Sequence, residues 1–126
     1  MSRFTMDAYK SHTIGQQFEL EAYQFLHERG LRLLARNYHC YFGEIDLIMR
    51  DQQDLVFIEV RSRHHTQYGS AIESVTQHKT RKIIKTAGHF LMKKNWTDKM
   101  NCRFDVIAIS PKNGQMTIEW IKNAFQ

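Results

Sequence analysis

Two apolar, strand-like runs joined by a short polar turn constrain this chain most. They are Gly43-Glu44-Ile45-Asp46-Leu47-Ile48 and Leu55-Val56-Phe57-Ile58-Glu59-Val60-Arg61, with the turn Asp51-Gln52-Gln53-Asp54 between them. Such a pattern reads as a β-hairpin. Each run carries a carboxylate where a hydrophobe would be expected. A four-residue loop centred between Gln52 and Gln53 sets Asp46 opposite Glu59 and Glu44 opposite Arg61. A loop one residue shorter or longer would move that register. Directly opposed Cβ atoms lie about 5 Å apart, where two carboxylates repel by roughly 3 kcal/mol at an effective dielectric of about 20. A cation between them removes the conflict, so the pair reads as a metal site.

With 126 residues, 42% of them hydrophobic, the chain is expected to form one domain around a single core, its first twelve residues a loosely packed segment. No run reaches the ~20 apolar residues of a membrane span. The amino terminus, Met1-Ser2-Arg3-Phe4-Thr5-Met6-Asp7, lacks a signal peptide's apolar core, which predicts a cytoplasmic protein without a membrane partner. Cys40 and Cys102 form no close ligand pair, so reduced thiols are expected rather than a zinc site. The net charge of +5 is unevenly spread: residues 61–99 hold nine Lys/Arg against Glu73 and Asp98, a net +7, and the remainder is −2. A one-sided basic face points to a polyanion, nucleic acid being the usual one. A solvated lysine-rich helix face accounts for the same charges.

Thr13 and Gln16 resemble a capping box, followed by a helical face of Phe18, Ala22, Phe25 and Leu26 that Gly30 is placed to end. Strands are predicted over Leu31–Asn37, Gly43–Arg50 and Leu55–Arg61, then a polar loop over 62–70. The stripe Ile83, Ile84, Ala87, Phe90 and Leu91 predicts a second helix over Ala71–Lys94. Cys102–Ser110, the turn Pro111-Lys112-Asn113-Gly114 and Met116–Ile121 complete the chain as a strand, a turn and a strand. The order α-β-β-β-α-β-β is that of an α/β domain whose mixed sheet is flanked by helices.

Glu59 interrupts a run that is apolar on both strand faces, as in a central, buried strand. An unpaired buried carboxylate costs several kcal/mol, so Glu59 requires a metal, a cation or a proton. A salt bridge to Arg61 or Arg63 would meet that need; Asp46 facing it favours the metal. Alternation lets Asp46, Glu59 and Arg61 project into one site. Carboxylate oxygens suit Mg²⁺ or Mn²⁺. With a neighbouring cation, such a site is equipped for phosphodiester hydrolysis.

Asp46 followed by Glu59-Val60-Arg61 in this element order resembles the PD-(D/E)XK nuclease superfamily. More narrowly, residues 14–125 resemble the YraN family of bacterial proteins, described as predicted endonucleases distantly related to archaeal Holliday junction resolvases. The matching residues are Gly15, Glu19, Ala22, Leu26, Gly30 and Asn37, the block Gly43–Ile48, Val56–Arg61, Gly69, Lys79, Arg103–Ile107 and Trp120–Phe125. The resemblance implies a restriction-endonuclease-like α-β-β-β-α-β core with an extra C-terminal strand. It implies a Mg²⁺- or Mn²⁺-dependent endonuclease with Asp46 and Glu59 as metal-binding carboxylates. Glu19 is then a candidate third acid, although a solvated Glu19 and the neighbouring Glu21 remain open by geometry. Structured or branched DNA is the substrate implied, and a homodimer stays open.

Arg61 stands where the superfamily pattern has lysine. Arginine stays protonated, so it can clamp a phosphate but is a poor general base. Lys79, one turn before Ile83, is the candidate substitute; a snorkelling lysine is the competing reading. Arg63, Lys82 and Lys85 are the expected phosphate contacts. Asp105, inside an apolar strand, is expected to pair with Arg103 or a lysine of the second helix. His64 and His65 fall in a polar loop, and neither His27 nor His89 has a recognisable partner. Tyr41, Phe42 and Tyr68 could stack on bases, with core packing the preferred reading. Two other classes account for the same residues: a nucleic-acid-binding module that has lost catalysis, and a scaffolding protein in DNA metabolism with an inert acidic network.

Overall fold

Phe18, Ala22, Tyr23 and Leu26 recur at helical spacing and are all buried, so the first helix has one face to cover. That helix, α1, spans Ile14–Glu28. It ends at Gly30, whose φ of +95° is a conformation that side chains rarely adopt. Strands β1 (Arg32–Cys40), β2 (Gly43–Asp51) and β3 (Asp54–Ser62) follow, then helix α2 (Gln77–Lys94), β4 (Asn101–Lys112) and β5 (Gln115–Phe125). This computed structural model describes residues 14–62 and 75–126. Thr13, the expected flexible N-terminal residues, Arg63, His64, His65, Tyr68 and Gly69 lie outside the described residues.

The strands form one five-stranded sheet in the order β1-β2-β3-β4-β5. All neighbours are antiparallel except β3 and β4, which are parallel. A parallel pair requires a crossover, and α2 lies within it. Strand alternation divides the core into two layers. Leu47, Met49, Val56, Ile58, Ile107 and Ile109 pack with α1 on one face. Ile48, Leu55 and Phe57 pack with Ile83, Ala87 and Phe90 of α2 on the other. The predicted α/β architecture, a mixed sheet between helices with β3 at its centre, is the observed one.

Several boundaries move. The β2–β3 turn tightens to Gln52-Gln53, closed by Asp51 opposite Asp54, and Gln52 takes a φ of +56°. That is shorter than the four-residue loop expected, but its centre and therefore its register are the same. Helix α2 starts at Gln77 rather than Ala71. Thr76 is extended (φ −69°, ψ 165°), and its side chain accepts the Lys79 N–H, which makes it the N-cap. Strand β5 continues past Ile121 to Phe125 through a register shift between Phe104 and Val106. Asn123 there has a φ of +55°. The β4–β5 turn is Asn113-Gly114 with φ of +52° and +77°, the two left-handed residues that a tight hairpin favours.

Asp105, completely buried, holds that shift in place. Its carboxylate accepts from Arg103 Nε at 3.2 Å, from Trp120 Nε1 at 2.8 Å and from the Asn123 N–H at 2.9 Å. Arg103 also reaches Asp51 at 2.8 Å and Asp54 at 3.5 Å, tying the β2–β3 turn to β4. The expected Asp105–Arg103 ion pair is therefore present, as part of a larger network. Cys40 and Cys102 are free thiols. No described helix is long and apolar enough to cross a membrane.

Removing one partner of a buried ion pair costs about 3–5 kcal/mol. Asp105→Ala is expected to destabilise the fold by about that much, because it leaves Trp120 Nε1 and the Asn123 N–H without their acceptor and takes one of three carboxylates from Arg103. Urea unfolding measures it, and a loss under about 1 kcal/mol would contradict a structural role for the network.

Candidate active site

The β2–β3 ladder runs from Asp51 opposite Asp54 to Leu47 opposite Ile58 and then stops. Its register, continued by one step, sets Asp46 opposite Glu59 as the sequence predicts. At that step the carboxylate Oδ2 of Asp46 accepts the Val60 N–H at 2.8 Å. The side chain thus supplies the acceptor for a strand amide at the point where the two strands part. The expected opposition of Glu44 and Arg61 does not form, because the strands have separated before it. Glu44 is exposed and pairs with His39 of β1 instead.

The parted strands open a cleft of about 350 Å³ on the α2 side. Asp46, Glu59 and Arg61 line one side of it and Lys79 and Lys82 of α2 line the other, with Gly43 and Glu44 at the start of β2. Helix and strand approach closely there. A Cβ on Gly43 would lie 3.3 Å from Thr86 Oγ1 and 3.5 Å from Lys82 Cβ. Glycine lets α2 settle against β2 and carries both lysines to the carboxylates.

Burial dominates the electrostatics. The Glu59 side chain is only 14% exposed, and its Oε2 lies 3.6 Å from Arg61 Nη1. Its carboxyl is pushed up to about 8, first by burial and then by the charge of Asp46 and a hydrogen bond to it, while Arg61 and Lys79 pull the other way. Burial also raises Asp46, against the Val60 N–H and the hydrogen bond from Glu59, which lower it. Both carboxyls are thus held above the usual carboxylate range, because burial and their mutual repulsion disfavour two charges side by side.

Glu19 approaches from α1. Its carboxyl is raised to about 7 by burial and by Asp46, with Arg36 and a hydrogen bond from Asn37 opposing the shift. Its Oε1 is buried and has no hydrogen-bond partner among the described residues. Glu19 is thus brought into the electrostatic field of the pair, not left solvated. Glu21 is not among the leading groups acting on Glu19, Asp46 or Glu59.

Among the described residues no three His, Cys, Asp or Glu side chains are grouped closely enough to hold a metal by themselves. A two-carboxylate site remains, and its donor chemistry fits Mg²⁺ or Mn²⁺. Magnesium keeps several waters and commonly uses one or two carboxylates. The repulsion between Asp46 and Glu59 and the unpartnered Glu19 oxygen are the features a cation would relieve.

Of the residues expected at the site, Asp46, Glu59, Arg61, Lys79 and Lys82 meet at the cleft, with Glu19 behind Asp46. Lys85 is exposed on α2 one turn beyond Arg81 and does not line the cleft. Arg63 lies outside the described residues. Two features escape sequence reasoning. Tyr38 Oη hydrogen-bonds His89 Nδ1 between β1 and α2, a pairing 51 residues apart that no local pattern encodes. Tyr41 and Phe42 are exposed, at 95% and 41%, where core packing is the preferred expectation. Their place in a tight turn is the signal: neither is a turn former, so neither is there for the backbone's sake.

Residues 18–109 match the family model described as "Uncharacterised protein family UPF0102". The chain belongs to that family, the YraN family of the sequence resemblance. A UPF0102 protein of Saccharophagus degradans is 53% identical over 116 residues, covering 92% of this chain and 95% of that protein. One of Psychromonas ingrahamii is 50% identical, covering 92% of each. One of Nitrosococcus oceani is 46% identical, covering 89% of this chain and 90% of that protein. Among solved structures, that of Pyrococcus furiosus SfsA in complex with Ca²⁺ is similar at a TM-score of 0.33 and 11% identity, covering 86% of this chain and 62% of that one.

The carboxyl pair ties stability to pH. Glu59 binds its proton more tightly in the folded chain, at about 8, than at its ordinary value of 4.5. That stabilisation is complete below 4.5 and is lost as pH rises through about 8. In metal-free protein the melting temperature should therefore fall over this interval. Asp46→Asn keeps an acceptor for the Val60 N–H and removes the repelling charge, so it should flatten the fall and melt no lower than the parent at pH 8. Parallel curves for the two proteins would show that the acids are uncoupled.

Proposed function

We propose that this protein is a metal-dependent nuclease of the PD-(D/E)XK type, hydrolysing phosphodiester bonds in nucleic acid, DNA first. One observation carries the reading. Two half-buried carboxylates, both held above the usual carboxylate range, face a cleft whose opposite wall carries two lysines. A structural ion pair would bury one acid against one base; here two acids are held together and open to a ligand.

Asp46 and Glu59 would hold Mg²⁺ or Mn²⁺. Bound there, such an ion polarises the phosphoryl oxygen and lowers the pKa of a coordinated water. Arg61 and Lys79 both bring positive charge to Glu59, where they would stabilise charge developing on a phosphate. Lys82 and Lys85 extend that field along α2 and hold the flanking backbone. Glu19, its carboxyl raised to about 7, takes up a proton more readily than an ordinary glutamate and so adds less negative charge beside Asp46.

The same arrangement supports a second reading, a nucleic-acid-binding module without turnover. The observation favouring it is Arg61 lying 3.6 Å from Glu59, a permanent cation in the place of a residue that could activate water.

Cleavage separates the two. Purified protein with Mg²⁺ or Mn²⁺ should cut linear, flapped or four-way-junction DNA, and chelator or Asp46→Ala should abolish cutting. Arg61→Ala should lower kcat by about 10²–10³-fold, the loss of one electrostatic contact. Undiminished cutting by Arg61→Ala would move that role to Lys79, and no metal-dependent cutting by the parent would leave the binding module.

Binding is tested apart from chemistry. Affinity for DNA should fall as salt rises, because phosphate contacts release counterions. Changing Lys82 and Lys85 to glutamine should flatten the log–log slope by roughly one unit per lost contact. A slope unmoved by both changes would take α2 out of the nucleic-acid footprint.

A further inference from the structure

The β1–β2 turn is two residues long, Tyr41-Phe42, between the paired Cys40 and Gly43. Tight turns of this length favour Asn-Gly or another glycine pair. Here two large aromatic side chains occupy the tip. Tyr41 is 95% exposed and Phe42 41%. Their rings meet edge to face, 5.7 Å between centroids at 82°, so each steadies the other while neither is covered by the core.

The tip adjoins the candidate active site directly. Gly43 and Glu44, the next two residues, line the cleft. The cleft has cations deep in it, Arg61 included, and an acid at the end nearest the hairpin. Lys79 and Lys82 stand on the helix side, and Glu44 stands beside the aromatic tip. A polyanionic strand lying there turns its phosphates toward the lysines and away from Glu44. Its bases then face the hairpin, where the exposed Tyr41 ring stands with Phe42 against it. Every nucleobase has a π-face, so such a platform accepts bases without sequence preference. A base can reach it only when it is unpaired.

We propose that Tyr41 and Phe42 form a stacking element for an unpaired base next to the phosphate in the Asp46–Glu59 cleft. The substrate class is then nucleic acid with a single-stranded segment at the point of reaction, not continuous duplex. The inference rests on the proposed nuclease reading for what the cleft holds, but its test needs binding alone.

The full chain is titrated, in chelator, against a fluorescent duplex and against the same duplex with a short single-stranded tail of either polarity. A second set carries 2-aminopurine at the first unpaired position. The parent should prefer a tailed duplex and quench the 2-aminopurine. The double variant Tyr41→Ala/Phe42→Ala should lose roughly 10- to 100-fold in affinity for the tailed duplex, lose the quenching, and bind the plain duplex as the parent does. Tyr41→Trp, which keeps a ring at the exposed tip, should retain both preference and quenching.

Equal affinity for plain and tailed duplex, or quenching that survives the double variant, would overturn the stacking role. So would a double variant that changes the oligomeric state by light scattering but not tail affinity, since the tip would then be a surface for a second copy. Stacking without metal-dependent cleavage would leave this inference standing and remove the nuclease reading. Cleavage of both duplexes at equal rates without quenching would do the reverse, and absence of all nucleic-acid binding would remove both.

Discussion

One hydrogen bond, from the Val60 N–H to Asp46 Oδ2 at 2.8 Å, sets the conditions for the rest of the site. A strand amide inside a sheet must find an acceptor, and the usual one is a carbonyl on the neighbouring strand. Here a side chain supplies it, so β2 and β3 can part without leaving the amide unsatisfied. The parting opens the cleft, and the residue that permits it is also the residue the cleft exposes. Glu59, one step before Val60, is brought against Asp46 by the same geometry. The conflict between the two acids is thus a consequence of how the sheet ends its ladder.

A second buried acid in the same sheet shows what a purely structural carboxylate looks like. Asp105 is completely buried, yet Arg103, Trp120 and the Asn123 backbone all donate to it. Its charge is compensated within the protein. Asp46 and Glu59 are instead both held above the usual carboxylate range, and Glu19 has an oxygen without a hydrogen-bond partner among the described residues. Buried polar groups left short of partners carry a cost that a structure does not retain for stability. The contrast lies in the partners and in access: Asp105 is sealed in the sheet, whereas Asp46 and Glu59 line the cleft.

Helix α2 completes the site from the other side. Its stripe of Ile83, Ala87 and Phe90 seats it on β2 and β3, and the absence of a side chain at Gly43 lets it come close. The polar edge of that helix therefore falls over the carboxylates, with Lys79 and Lys82 in the cleft wall. Hydrophobic packing decides the helix position; the lysines follow because they are fixed in phase with the stripe. Arg61 contributes the nearest cation, from the same strand as Glu59.

Much of this is legible in the residues alone. The run Leu55–Val60, apolar on both faces but for Glu59, specifies a central strand, helical spacing in Phe18–Leu26 and Ile83–Leu91 specifies the two covering helices, and the centre of the Gln52-Gln53 turn specifies which acids oppose each other. These are local or symmetric properties, and a chain states them directly. The length of the ladder is different: the sequence continues the pairing to Glu44 and Arg61, but the structure ends it at Leu47 and Ile58, because the Asp46 side chain competes for the Val60 amide. The Tyr38–His89 contact, the entry of Glu19 into the field of Asp46, and the exposure of Tyr41 and Phe42 likewise depend on which surfaces meet. Sequence determined which residues are acidic, apolar or basic on each face; tertiary structure decided which of them share a space. Charge repulsion, burial and hydrogen-bond supply act over a few ångströms, and only the folded packing sets distances on that scale between residues far apart in the chain.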